Sequence, residues 1–195
     1  GLDYKTGATM TQASNLHHPL SLLIAIEDQC RAQIEPVNQL FKIQGDWSGL
    51  GFRLEQQMLL LPIHLVQETY SFVRHGKPSP VPGAKAWLKG LVSLRGQLLS
   101  VIDFNLFLHQ QACSISKKSR VIVIRRQNFC FGLLVDEVLG IRHFKQADQL
   151  SANTFSPIIS DCLEAAYSLE NNQQWGIIDI DKLLADPEFQ DAANG

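Results

Sequence analysis

The chain has 195 residues, a formal net charge of −2 and 45% hydrophobic residues. That length and apolar content support one sizeable domain or two small fused ones and exclude wholesale disorder. A near-neutral chain lacks the concentrated basic surface that grips nucleic acid by its phosphates, and no apolar run reaches the roughly 18–20 residues that span a bilayer.

Residues 1–18 are polar and small and are expected as a flexible tail without the basic-then-apolar pattern of a secretion signal. Residues 19–49 follow as a helix and linker. Leu22, Ile26, Cys30 and Ile34 recur every four residues and predict one apolar helical stripe over Leu20 to Ile34, with Pro19 before it and Pro36 ending it. Such a stripe most often packs on the body of its own protein; docking on a partner is the other reading.

From residue 50 the pattern turns to short runs. Gly51–Glu55, Met58–Val66 and Glu68–Val73 are aliphatic and aromatic stretches between polar or Pro breaks, the pattern of strands in a sandwich or barrel. Gly76–Gly83 carries three prolines and is expected as a loop. Leu91–Leu94 and Leu98–Ile102 then flank Arg95-Gly96-Gln97, which predicts a hairpin with Arg95 at its tip, because Gly96 takes φ > 0 freely. Both runs are apolar on both faces, so the strands are expected to be buried on both sides or covered on one side by a partner.

Phe104–Leu108 predicts a helical turn, and residues 109–119 a polar connection. The pattern then returns: Val121–Arg125 and Phe129–Val135 predict two more strands. Trp175–Asp179 followed by Lys182–Leu184 echoes Val101–Asp103 followed by Leu106–Leu108. In both places a strand runs into Asp and then into a helical turn, which puts Asp103 and either Asp179 or Asp181 at helix caps. The echoes predict an internal duplication over about 50–108 and 120–184, with 185–195 left as a C-terminal tail.

The stretch Val81-Pro-Gly-Ala-Lys-Ala-Trp-Leu-Lys-Gly-Leu-Val-Ser-Leu-Arg-Gly-Gln-Leu-Leu-Ser-Val-Ile-Asp-Phe104 resembles the central signature of CheW-like domains, the coupling proteins of bacterial chemosensory arrays. Phe131–Gly140 resembles the second block of the same family. The likeness covers about residues 50–184. Ser93 stands where the family usually has Asn, Ser100 where it usually has Pro, and Asp161–Tyr167 fits the family pattern poorly. The N-terminal helix and Gly45–Leu54 resemble the members of the family that serve type IV pilus twitching motility.

This resemblance implies an all-β fold of two intertwined five-stranded SH3-like barrels, plus the N-terminal helix and short helical turns. It implies a cytoplasmic adaptor recruited to membrane-associated arrays, without catalysis or cofactor. Its partners would be the regulatory domain of a CheA-type histidine kinase and the cytoplasmic tip of a methyl-accepting chemoreceptor. The candidate contact residues that it implies are Val66, Glu68, Gly90, Arg95, Gly96, Gly132 and Val135.

The residues themselves weigh against chemistry of other kinds. Cys30, Cys113, Cys130 and Cys162 form no CxxC pair, so they read as reduced and mostly buried thiols rather than zinc ligands or a disulfide framework. No Gly-rich phosphate loop occurs. Glu68, Asp136 and Glu137 lie close to apolar strands but have no nucleophile or His at a telling spacing for acid–base work. His64 reads as a solvent-facing strand residue, and Trp47, Trp87 and Trp175 as packing residues, with Trp87 able to cover a barrel end. Gly90, Gly96 and Gly132 read first as backbone requirements. The alternative function is a regulatory barrel with a small molecule in an apolar groove.

Overall fold

A computed structural model describes residues 46–109, 111–145, 149–150, 155–169 and 172–193. The helix expected over Leu20 to Ile34 lies outside the described residues. Among the described residues there are eleven strands: β1 (Asp46–Leu54), β2 (Gln57–Pro62), β3 (Val66–Ser71), β4 (Leu88–Leu94), β5 (Gln97–Asp103), β6 (Arg120–Arg126), β7 (Phe129–Val135), β8 (Glu137–Lys145), β9 (Gln149–Leu150), β10 (Leu163–Leu169) and β11 (Gln173–Ile178). Five short helices join them: α1 (Phe72–His75), α2 (Phe104–His109), α3 (Pro157–Ser160), α4 (Ile180–Ala185) and α5 (Pro187–Ala193).

The strands form two sheets. One has six strands in the order β8-β1-β2-β11-β10-β9, the other five in the order β3-β6-β7-β5-β4. Hairpins are antiparallel, but β11 pairs with β2, and β5 with β7, in parallel. Each of the two sequence halves therefore contributes strands to both sheets.

The registers of the halves match residue for residue. Val66↔Ile124 and Glu68↔Val123 in the five-stranded sheet correspond to Val138↔Phe52 and Gly140↔Gly51 in the six-stranded one. Both pairings carry a bulge, at Gln67 and at Leu139, where an extra residue bends the strand. The β4–β5 and β10–β11 hairpins are bulged at Lys89 and Glu164. After β5 and β11, Asp103 Oδ1 accepts from Leu106 N (3.1 Å), and Asp179 Oδ1 accepts from Asp181 N and Lys182 N (3.0 and 3.1 Å). Asp179, not Asp181, is thus the second helix cap.

The strands flanking Arg95-Gly96 are covered only in part, Leu91, Val92 and Leu94 of β4 staying half-buried, and burial on both faces is found instead in β2. In β2, Leu59 and Leu61 join the large core shared with Ile122, Ile124 and Leu133 of the other sheet. Leu60, between them, faces a separate core with Phe144, Tyr167, Trp175 and Ile177. In β5, Leu99, Val101 and Ile102 are buried, whereas Leu98 is 68% exposed.

Several expectations change. The run Met58–Val66 is broken at Pro62, whose ring supplies no ladder donor, and Ile63–Leu65 forms a 3-10 turn that carries an exposed His64. Phe72 and Val73 end in α1 rather than in a strand; Ser71 Oγ caps it by accepting from Arg74 N (3.4 Å). β1 begins at Asp46, inside the residues read as linker. β8 and β10 were not expected: Gly140 (φ 87) and the bulge break the alternation of β8, and the Glu-Ala-Ala of β10 favours helix until pairing with β11 overrides that preference. The supposed C-terminal tail contains α5, whose Phe189 is 4% exposed and lies 5.3–6.0 Å, centroid to centroid, from Phe131, Phe107 and Trp87. Trp87 is a packing residue, buried against Phe107 and Phe189.

Two stability predictions follow. Phe189→Ala removes the anchor of α5 and is expected to cost about 3–5 kcal/mol in a denaturant titration; a change below about 1 kcal/mol would mean that α5 is a mere tail. Asp103 is fully buried, accepts also from Cys113 N (3.2 Å) and pairs with Lys89 (3.4 Å). Asp103→Ala is expected to lose about 2–3 kcal/mol and to raise amide exchange in α2 and at Cys113.

Candidate functional site

The β4–β5 hairpin turns on two residues, with Leu94 paired to Gln97 across the loop. Arg95 (φ 50) and Gly96 (φ 80) both lie in the left-handed region, as a tight turn matching the strand twist requires. The conformation suits Gly96 and strains Arg95 modestly. From this exposed tip Arg95 Nη2 reaches Glu68 Oε2 at 3.1 Å, the arginine side chain being 80% exposed and the glutamate 21%. Glu68 belongs to β3 and Arg95 follows β4, the two end strands of the five-stranded sheet. The pair therefore links opposite edges of one sheet. At such exposure it contributes little to stability.

Three of the other candidate residues share one rung with Glu68 or lie beside it. The register runs Glu68↔Val123↔Gly132↔Val101↔Gly90 across all five strands. Gly90 has φ 131, and a Cβ there would run into the carbonyl oxygen of Ser79. The proline loop is pinned at this point by two backbone hydrogen bonds between Ser79 and Leu91, both 2.8 Å. A Cβ on Gly132 would press on the methyls of Val121 and Leu99 inside the core. Val66 is half-buried at the start of β3, and Val135 is fully buried at the end of β7. The structure thus brings Arg95, Gly96 and Glu68 together at the surface, with Val66 close by in β3. It places Gly90, Gly132 and Val135 where they shape the sheet from within.

The duplication isolates what is special here. Gly140 occupies the position in β8 that Glu68 occupies in β3, so the six-stranded sheet has no counterpart of this acidic partner. Near the tip, Leu98 and Phe129 (43% exposed) stand on the neighbouring parallel strands β5 and β7. Sequence reading assigned Leu98 to the core, since apolar type alone does not tell a strand's buried end from its exposed end.

The remaining candidate acids are tied up in ion pairs. Buried Asp136 accepts from Glu55 N (2.6 Å) and lies 3.6 Å from Arg53 Nη1. Glu137 sits between Lys118 (3.2 Å) and Arg53 (3.5 Å), and the Lys118 hydrogen bond above all holds its carboxyl below the usual range. Burial, followed by the charge of Asp103, pushes the Cys113 thiol well up, which makes it a poor nucleophile. Burial and then Glu68 push the Tyr70 phenol up to about 12. Among the described residues no cluster of three His, Cys, Asp or Glu could hold a metal, and no helix is long and apolar enough to cross a membrane. A half-open cavity of about 340 Å³ is lined by Gln56, Gln57, Gln173 and Gln174 with Phe155 and Met58; it is rich in carboxamides rather than apolar.

Comparison with known proteins agrees with this architecture. Protein PilI of Pseudomonas aeruginosa is 30% identical over 186 residues, covering 92% of this chain and 99% of that protein. Protein FrzA of Myxococcus xanthus is 27% identical over 134 residues, 68% of this chain and 82% of its own. The crystal structure of the scaffolding protein TtCheW from Thermoanaerobacter tengcongensis superposes with a TM-score of 0.61 at 21% identity, over 68% of this chain and 88% of that one, and shares the fold. The CheW-like domain itself matches residues 48–188, which contain both sheets but for the first two residues of β1, the Arg95–Glu68 tip and the capped helices: the chain belongs to the CheW-like domain family.

Proposed function

We propose that this protein is a non-catalytic coupling protein that links the cytoplasmic tip of a methyl-accepting chemoreceptor to the regulatory domain of a CheA-type histidine kinase, in a system that controls type IV pilus twitching. Family membership supports the adaptor class, and the likeness to PilI over nearly the whole of both chains supports the pilus branch. The observation that carries the reading is the Arg95–Glu68 pair: a charged, nearly fully exposed tip that is braced across the sheet yet has little to do for stability. Arg suits such a contact because its planar fork makes several directed hydrogen bonds.

Each sheet is read as a small SH3-like barrel, with Arg95–Glu68 joining edges β3 and β4 of one of them. The adaptor works in the cytoplasm at membrane-associated arrays. It acts by geometry: a receptor shift passes to the kinase only if the adaptor makes different contacts in the two states. The carboxylates that acid–base chemistry would need, Asp136 and Glu137, are engaged by Arg53 and Lys118.

Arg95→Ala is expected to fold with a stability change within about 1 kcal/mol and to lose pull-down of the receptor's cytoplasmic fragment. Unchanged binding together with unchanged kinase control would sink the assignment of Arg95. A thermal-shift series separates the adaptor from a ligand-binding barrel. The kinase regulatory domain should raise the melting temperature and a metabolite panel should not; a strong metabolite shift would favour the carboxamide-lined cavity as a ligand site.

A further inference from the structure

The two sheets are fastened to each other by a second repeated feature. Asn105 is the second residue of α2, the helix that follows β5 of the five-stranded sheet. Its Nδ2 donates to Oε1 of Glu55, at the tip of the β1–β2 hairpin in the six-stranded sheet, at 2.9 Å. Asp181 is the second residue of α4, which follows β11 of the six-stranded sheet. It accepts from Nε and Nη2 of Arg126, at the end of β6 in the five-stranded sheet, at 2.9 and 2.8 Å. The helix residues Asn105 and Asp181 occupy equivalent places in the duplicated plan, their hairpin partners lie one position apart in it (Arg126 matches Leu54, and Glu55 matches Gln127), and both contacts cross from one sheet to the other.

They differ in one respect that matters. Asn105 is 1% exposed, whereas its partner Glu55 is exposed at the hairpin tip and gives its backbone N–H to the buried Asp136, so that contact is half-buried. The Arg126–Asp181 pair is open, at 36% and 60% side-chain exposure. An open pair adds little to global stability and is screened by salt, but a two-pronged guanidinium–carboxylate contact fixes direction as well as distance. The carboxyl of Asp181 is accordingly held below its usual range by Arg126.

We propose that Arg126 and Asp181 form a positioning clasp that sets the orientation of the two sheets about the half-buried Asn105–Glu55 contact, and through it the spacing of partner surfaces carried on different sheets. The consequence for signalling rests on the coupling-protein reading; the clasp itself does not.

The test uses the full chain with spin labels introduced as non-canonical amino acids at Ser93 in β4 and Gln174 in β11, both exposed. Pulsed dipolar spectroscopy then reads the distance distribution between the sheets. Arg126→Ala and Asp181→Asn are expected to broaden the distribution while the melting temperature stays close to that of the parent. The reversal Arg126→Asp with Asp181→Arg should narrow it again. Binding of the receptor fragment and the kinase regulatory domain together should weaken at least about fivefold in the single variants, the lower end of a typical coupling, and recover in the reversal. Should Arg126→Ala unfold, Arg126→Gln keeps most of the packing and is read in the same way. An unchanged distribution in the single variants overturns the clasp. So does a broadening that the reversal fails to correct, because the pair would then not be its cause. If the distances respond as expected but the parent protein binds neither fragment, the coupling-protein reading fails and the clasp stands.

Discussion

Parallel strands cannot be joined by a tight turn and need a long crossover; this chain makes two such pairings, β2 with β11 and β5 with β7. Each brings together one hairpin from the first half of the sequence and one from the second. Neither half can complete a sheet alone, and the large core between them draws on both. The apolar strands β2, β6 and β7 are buried on both faces; in β2 one face joins the core shared between the sheets and the other a core within its own sheet. Much of the stabilising area is thus reachable only after distant parts of the chain have met, which favours slow and cooperative folding.

The duplication separates what the fold needs from what this protein adds. Features present in both halves serve architecture: the caps Asp103 and Asp179, the paired bulges, and the hairpin-to-helix contacts between sheets. Features without a counterpart are candidates for function. Glu68 is matched by Gly140, so the charged bridge to Arg95 belongs to one sheet only. The inter-sheet contacts share a helix position but differ in chemistry, a half-buried amide to carboxylate contact in one half and an open ion pair in the other.

Much of this was legible in the chain. The strands flanking Arg95-Gly96, the helical turns after Asp103 and Asp179, the proline loop and the echo between halves are local patterns: turn chemistry, caps and apolar runs set by neighbours a few residues apart. The less legible elements had local signals that pointed elsewhere. β10 carries helix-favouring residues, β8 is broken by a bulge and Gly140, and α5 sits in a polar segment whose single Phe189 gives no periodicity. In each, the outcome depended on a partner far away in sequence.

The candidate site divides in the same way. Arg95 and Gly96 could be placed at a tip from sequence, because a two-residue turn between apolar runs is a local event. By itself the sequence determined that the chain is mostly β, duplicated, and similar to CheW-like domains. Only the tertiary structure decided that Glu68, far from Arg95 along the chain, lies within 3.1 Å of it, that Gly132 and Val135 face inward, and that Arg126 meets Asp181. Pattern along a chain reports which residues avoid water. Which of them meet is set by register between strands, and here that register is fixed by an exchange of hairpins that no local window contains.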